Sequence, residues 1–216
     1  MSLVKDTRFA LGIATGKPFQ VLVQVTNRCN MRCSFCDFWP NGVPPAEELT
    51  VADYQKLAAE LADAGTFLVS VEGGEPTLRP DLVEIVRAFG VRHLPVLYTN
   101  GWHVTPELAR SLFDAGLTQV GVSIDFSDPI RHDAKRGLAG AYERAWRAVD
   151  TFKKAAPLQE RLPARRRRRR LAGARRGRRA ARAAVALSAL PRVLEVPGRD
   201  RPLPREKRRP PDVLGG

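Results

Sequence analysis

A chain of 216 residues that is 44% hydrophobic has the length of one ordinary domain with room for a small additional piece. No apolar run approaches the roughly 18 residues of a membrane span. Asp6 and Thr7 stand where a signal peptide would be apolar, so no membrane partner and a cytoplasmic address are expected. The net charge of +13 is local: residues 161–216 hold 19 Lys and Arg against 4 Asp and Glu, or +15, which leaves 17 against 19, or −2, for residues 1–160.

In chain order, residues 1–16 read as an N-terminal extension. FQVLVQVT (Phe19 to Thr26) is a β-branched apolar run, read as the first strand, and it ends at TNRCNMRCSFC, which carries all three cysteines, Cys29, Cys33 and Cys36. Thr50 to Ala64 is expected to be a helix, with Leu57 and Leu61 on one face, Thr50 and Asp53 as a cap pair and Gly65 as its stop. TFLVSVE (Thr66 to Glu72) reads as a second buried strand, followed by GGEPTLRP and a helix from about Pro80 to Phe89 closed by Gly90. HLPVLYTNG supplies a third strand whose Pro95 implies an irregular start or an edge position. Thr105-Pro106-Glu107 opens the next helix and Ala115-Gly116 ends it. LTQVGVSIDF reads as a fourth strand, and a helix from roughly Ala139 to Ala155 closes the series.

Four successive strand-then-helix units, with strands too apolar to face water on either side, predict an α/β fold with a parallel sheet. In such folds the reacting groups collect where strands end. The unusual residues fall there: Cys29 to Cys36 after the first strand, Gly73-Gly74-Glu75-Pro76 after the second, Thr99-Asn100-Gly101 after the third, and Ser123 and Asp125 closing the fourth.

The cysteines admit three readings. They are incidental thiols; or they belong to a zinc site, whose fourth ligand would have to be His93, His103 or His132; or they hold a four-iron, four-sulfur cluster with one iron left open. The third suits three clustered thiolates best, because His93 precedes a strand and so lies at the opposite rim, and the other histidines lack a partner at ligand spacing. An odd, clustered set also argues against a secreted disulfide framework. The other motifs have plain structural readings too: Gly73-Gly74 as a strand-to-helix turn, Asn100-Gly101 as a turn dipeptide, Asp125 as a loop cap, and Trp39, Trp102 and Trp146 as packing residues.

CxxxCxxC after the first strand with Phe35 before the last cysteine, GGEP after the second strand, YTNG after the third and VSIDFSDPIRHDAKRG after the fourth resemble the radical S-adenosylmethionine superfamily over about residues 17–155. The resemblance implies a partial (βα) barrel. It further implies a [4Fe-4S] cluster on Cys29, Cys33 and Cys36, with S-adenosyl-L-methionine on the open iron. Reductive cleavage to a 5′-deoxyadenosyl radical and hydrogen abstraction from a small-molecule or peptide substrate would follow, with a one-electron donor such as flavodoxin or ferredoxin. By the same resemblance Phe35 contacts adenine, Gly73 and Gly74 let the backbone approach the ligand, Glu75 lies near the methionine ammonium, Pro76 fixes the turn, and Ser123 meets the carboxylate or ribose. Thr99, Asn100 and Asp125 are then expected at the substrate. Ser70 stands where the GTP cyclase of that superfamily usually has arginine, and no second cysteine cluster offers an auxiliary centre.

The composition changes near Pro157, so the core is expected to span residues 17–155 and a basic low-complexity tail residues 156–216. The superfamily core normally has six βα units, and this chain shows four before the change. The Arg-, Pro-, Ala- and Gly-rich tail reads as a disordered or out-of-frame segment, and the chain as written is expected to bind a cluster poorly and to have little activity. The alternative is a polyanion- or RNA-binding protein acting through its Arg-rich tail, the one route by which nucleic acid would be a partner.

Overall fold

The computed structural model describes residues 3–157. Strands β1 (Gln20–Thr26), β2 (Leu68–Gly73), β3 (Leu94–Thr99) and β4 (Gln119–Val122) pair in parallel in that order. Helix α1 (Leu3–Ala14) precedes β1; α2 (Val51–Ala64), α3 (Leu82–Gly90) and α4 (Pro106–Asp114) connect the strands; α5 (Pro129–Arg136) and α6 (Ala141–Ala155) follow β4. The architecture is α/β, the parallel sheet of a partial (βα) barrel. Among the described residues no helix is long and apolar enough to cross a membrane. The tail readings, disordered, out-of-frame or polyanion-binding, lie outside the described residues.

The helices start where their caps dictate. Thr50 accepts from the Asp53 amide while the Asp53 carboxylate accepts from the Thr50 amide at 2.8 Å, a reciprocal capping box for α2. Thr105 caps α4 at the Leu108 amide, with Pro106 in the first turn. One face of the sheet, including Val23, Val25, Val69, Val71, Leu97, Val120 and Val122, packs against Tyr54, Ile85, Val86, Phe89, Leu112, Val149 and Phe152 of the helices. Burial of each large apolar side chain there contributes about 1.5–3 kcal/mol.

Several details differ from expectation. The strands are not all buried on both faces: β1 alternates, and Leu22 on its second face is 63% exposed. Pro95 lies in an interior strand. It is tolerated because it comes second in β3, before β4 begins its pairing at Gln119 opposite Val96. Gly90 is the last helical residue rather than a stop; a Cβ there would lie 2.3 Å from the Ala115 carbonyl oxygen, so its role is close packing of two helix ends. The fourth strand ends at Val122, and α1 and α5 are additional helices.

His93 is fully buried just before β3. Its Nδ1 accepts from the Phe67 amide at 3.3 Å, which leaves the proton on Nε2 to donate to the Ala58 carbonyl at 2.9 Å. A second proton would set Nδ1–H against the Phe67 N–H, and burial lowers the pKa of this ring below the ordinary value. Burial, followed by Arg136, does the same to His132. Above the unfolded-state value of about 6.5 both rings are neutral in either state and their contribution is complete; as pH falls below it the unfolded chain takes up protons first, and stability drops until the folded pKa values are passed. Urea midpoints should therefore fall between about pH 8 and about pH 5.5, and His93→Gln should flatten that fall; an unchanged pH dependence would contradict the assignment.

Candidate active site

The loop from Thr26 to β2's neighbour α2 carries the cysteines, and it is fixed by close backbone approach to the end of β2. The Gly74 amide donates to the Thr26 carbonyl at 2.7 Å and the Glu75 amide to the Arg28 carbonyl at 2.8 Å. No side chain fits between them: a Cβ on Gly73, whose φ is +128°, would stand 2.1 Å from the Thr26 oxygen, and one on Gly74 would stand 2.2 Å from the Arg28 oxygen. The glycine pair therefore lets two backbone segments of the chain meet. A second tie comes from Glu48, which accepts from Arg28 Nε at 2.9 Å and Nη2 at 3.1 Å and lies 3.4 Å from Arg79 Nη1. Burial pushes the Glu48 carboxyl up, but Arg28, Thr26 and Arg79 together hold it below its ordinary value. Buried Arg79 also donates to the carbonyls of Val25 and Leu49, each at 2.9 Å, closing the loop at both ends.

Glu75 is fully buried, and Pro76, also buried, begins the single turn after it. The Glu75 Oε1 accepts from Thr99 Oγ1 at 2.7 Å, from the Thr77 amide at 3.1 Å and from Thr77 Oγ1 at 2.5 Å; Oε2 accepts from the Asn100 amide at 2.7 Å. The carboxylate thus joins the ends of β2 and β3. Asn100 extends the link, donating through Nδ2 to Asn30 Oδ1 at 2.9 Å and toward Cys29 Sγ at 4.0 Å. Thr99 and Asn100, expected at the substrate, are engaged within the protein: the Thr99 hydroxyl also accepts from the Gly101 amide, and Asn100 Oδ1 from the Trp102 amide.

Cys29, Cys33 and Cys36 form no disulfide. Cys33 is buried with Met31 and Ala141, and Cys29, Cys36, Trp102 and Leu138 pack against them. Burial raises the Cys29 and Cys33 thiols above their ordinary pKa; Glu75 adds to the rise at Cys29, and Arg136 opposes it at Cys33. Yet donors face the sulfurs: the Met31 amide lies 3.4 Å from Cys29 Sγ, and Arg136 Nη1 lies 3.9 Å from Cys33 Sγ. Sulfurs supplied with N–H donors in dry surroundings suit thiolates bound to metal better than free thiols. Asn30 Nδ2, beside Cys29, is buried without an acceptor among the described residues, a donor that an incoming group could satisfy. No three His, Cys, Asp or Glu side chains among the described residues come together as a single metal ion requires. A four-iron cluster takes one thiolate per iron and needs no such convergence, so the residues fit it better than zinc. His93 and His132 are both engaged with backbone amides.

The part of the site missing from the sequence reading is α5. Asp125 accepts from Arg136 Nε at 2.7 Å and Nη2 at 3.0 Å, so this expected substrate residue is an anchor for a guanidinium. The guanidinium carbon also sits 5.6 Å from the centre of the Phe35 ring, which is 58% exposed at the rim. The signal was present: Asp128-Pro129 and Gly137 bracket the helix as cap, first-turn proline and left-handed terminator. Ser123 donates its amide to the Thr99 carbonyl, while its hydroxyl has no partner among the described residues. Trp39 donates to the Cys33 carbonyl at 3.2 Å, and Trp102 packs beside the cysteines, so both combine packing with a place at the rim.

A model of the Radical SAM superfamily matches residues 23–157. The chain is similar to AdoMet-dependent heme synthase of Methanosarcina barkeri (strain Fusaro / DSM 804), 36% identical over 144 residues, 65% of this chain and 41% of that relative. It is also similar to PqqA peptide cyclase of Bradyrhizobium diazoefficiens, 35% identical over 130 residues, 60% of this chain and 34% of that relative. It therefore spans about two fifths or less of these relatives' lengths. Among solved structures, anSMEcpe with bound AdoMet shares the fold at a TM-score of 0.54 and 21% identity, over 64% of this chain and 41% of the other.

Because Glu75 accepts only donors, Glu75→Gln would turn an amide N–H₂ toward one of them. It should cost about 2 kcal/mol and lower the thermal midpoint by about 4–8 °C. Calorimetry of the two proteins checks this, and an unshifted midpoint would show that the carboxylate is not the joint described.

Proposed function

The chain belongs to the Radical SAM superfamily, and we propose that Cys29, Cys33 and Cys36 hold a [4Fe-4S] cluster beside a binding place for S-adenosyl-L-methionine. The observation that carries this reading is the meeting, at one sheet rim, of three unpaired cysteines, two of them, Cys29 and Cys33, supplied with N–H donors, and a GGEP turn locked to their loop. Held by these three cysteines, such a cluster would supply one-electron reduction of the S-adenosyl-L-methionine sulfonium, the electron coming from an external donor, and with it the means to abstract a hydrogen atom from a substrate.

The chain's own residues prepare that chemistry. Met31, Trp102, Leu138 and Ala141 keep water from Cys33 and partly cover Cys29 and Cys36. Phe35, exposed at the rim, offers a face to adenine, and the free Ser123 hydroxyl a donor to the carboxylate or ribose. Glu75, held by four hydrogen bonds, contributes negative potential for the methionine ammonium without moving to meet it. Gly73, Gly74 and Pro76 hold the turn in which it sits. Thr99, Asn100 and Asp125 shape the substrate side of the rim through their neighbours. The substrate is a small molecule or a peptide; the likeness to PqqA peptide cyclase supports the peptide class. Flavodoxin or ferredoxin is the proposed class of electron donor.

Anaerobic reconstitution of the full chain with iron and sulfide tests this. The wild-type chain, with four βα units among the described residues, should gain iron and broad visible absorption but fall short of the roughly four irons per chain of a full cluster, and Cys29→Ser, Cys33→Ser or Cys36→Ser should each lose most of both. Retention of iron by the triple serine variant would overturn the assignment.

A further inference from the structure

Arg136 has no place in the chemistry above, yet it is held more firmly than a solvent-facing arginine requires. Its backbone carbonyl accepts from the Arg32 amide at 3.1 Å, and that of Lys135 accepts from the Ser34 amide at 3.2 Å, so the cysteine loop caps the C-terminal end of α5. Gly137 follows with φ +65°, and a Cβ there would lie 2.6 Å from the Arg32 oxygen. The helix end and the loop thus meet at backbone distance. The side chain is 12% exposed; Asp125 takes its Nε and Nη2 edge, the Phe35 ring lies 5.6 Å away, and Nη1 is left to face Cys33 Sγ at 3.9 Å.

We propose that Arg136, fixed by Asp125, is a positioning and tuning residue that raises the reduction potential of the cluster through an N–H···S bond to Cys33. The inference rests on the cluster reading given above. Reduction adds one negative charge to a centre whose charge is shared with its thiolate sulfurs. A cationic donor on one sulfur stabilises the reduced form more than the oxidised form. Asp125 offsets part of that charge, but it occupies the other edge of the guanidinium, so the pole nearest the sulfur is positive. The same charge and hydrogen bond oppose the effect of burial on the Cys33 thiol. No bond to Arg136 forms or breaks, and the electron comes from the external donor.

The test is a redox titration of the reconstituted full chain, followed by electron paramagnetic resonance of the reduced cluster. Arg136→Gln should move the midpoint to more negative potential, Arg136→Lys should recover part of the shift, and Arg110→Gln, which removes an exposed ion pair on α4, should leave it unchanged. A cluster in Arg136→Gln with the wild-type midpoint overturns the inference and leaves the cluster reading standing. A wild-type chain that takes up no cluster overturns both. If Arg136→Gln does not assemble, wild-type protein labelled with arginine carrying ¹⁵N only in the guanidinium decides: hyperfine coupling of a guanidinium nitrogen to the reduced cluster is expected, and its absence overturns the inference.

Discussion

The rim depends first on one buried carboxylate. Glu75 brings a full negative charge into a site with no solvent exposure, and only its donors make that tolerable: Thr77, Thr99 and the Asn100 amide supply four hydrogen bonds from two strand ends. Because these donors come from the turn after β2 and from the end of β3, the charge cannot be satisfied unless both are in place. Asn100 then carries the constraint to Asn30 and Cys29. A residue expected to meet a ligand directly thus acts first as the joint that sets where the first cysteine lies.

The cysteine loop buries Met31 and Cys33 but leaves Phe35, Trp39 and Leu49 exposed, and packing alone would not hold it. It is instead pinned by backbone contacts that only glycine permits, at Gly73 and Gly74 on one side and at Gly137 on the other. The ion-pair set of Glu48, Arg28, Arg79 and Asp81 closes its far end. Such pinning gives position rather than much net stability, because buried ion pairs mostly repay their own desolvation. That suits a loop whose task is to present three sulfurs in fixed places.

What was legible in the sequence was local. The strands, the capped helices and the cysteine spacing are patterns within a few residues, and GGEP falls at a strand end by chain order alone. The reason for Gly73-Gly74 was not legible, since their neighbours are Thr26 and Arg28, more than 40 residues away. The same holds for Asp125, whose partner Arg136 lies a helix further on, and for His93, whose partners lie in α2 and just before β2. Pro95 misled for a related reason: whether a proline donor is missed depends on where the neighbouring strand starts, which only the sheet register shows.

The two charges at the rim act on different cysteines. Glu75 adds to the pressure that burial puts on the Cys29 thiol, whereas Arg136 works against that pressure at Cys33, four positions on. The loop therefore lies across a field, negative near Cys29 and positive near Cys33. On the proposed reading each pole matches one requirement of the chemistry: an ammonium is favoured at the negative side, and the electron added to the cluster is favoured at the positive side. Because Glu75 is fixed by the ends of β2 and β3 and Arg136 by the end of α5 and by Asp125, the field is set by the fold before any ligand arrives, and its reorganisation adds little to the barrier.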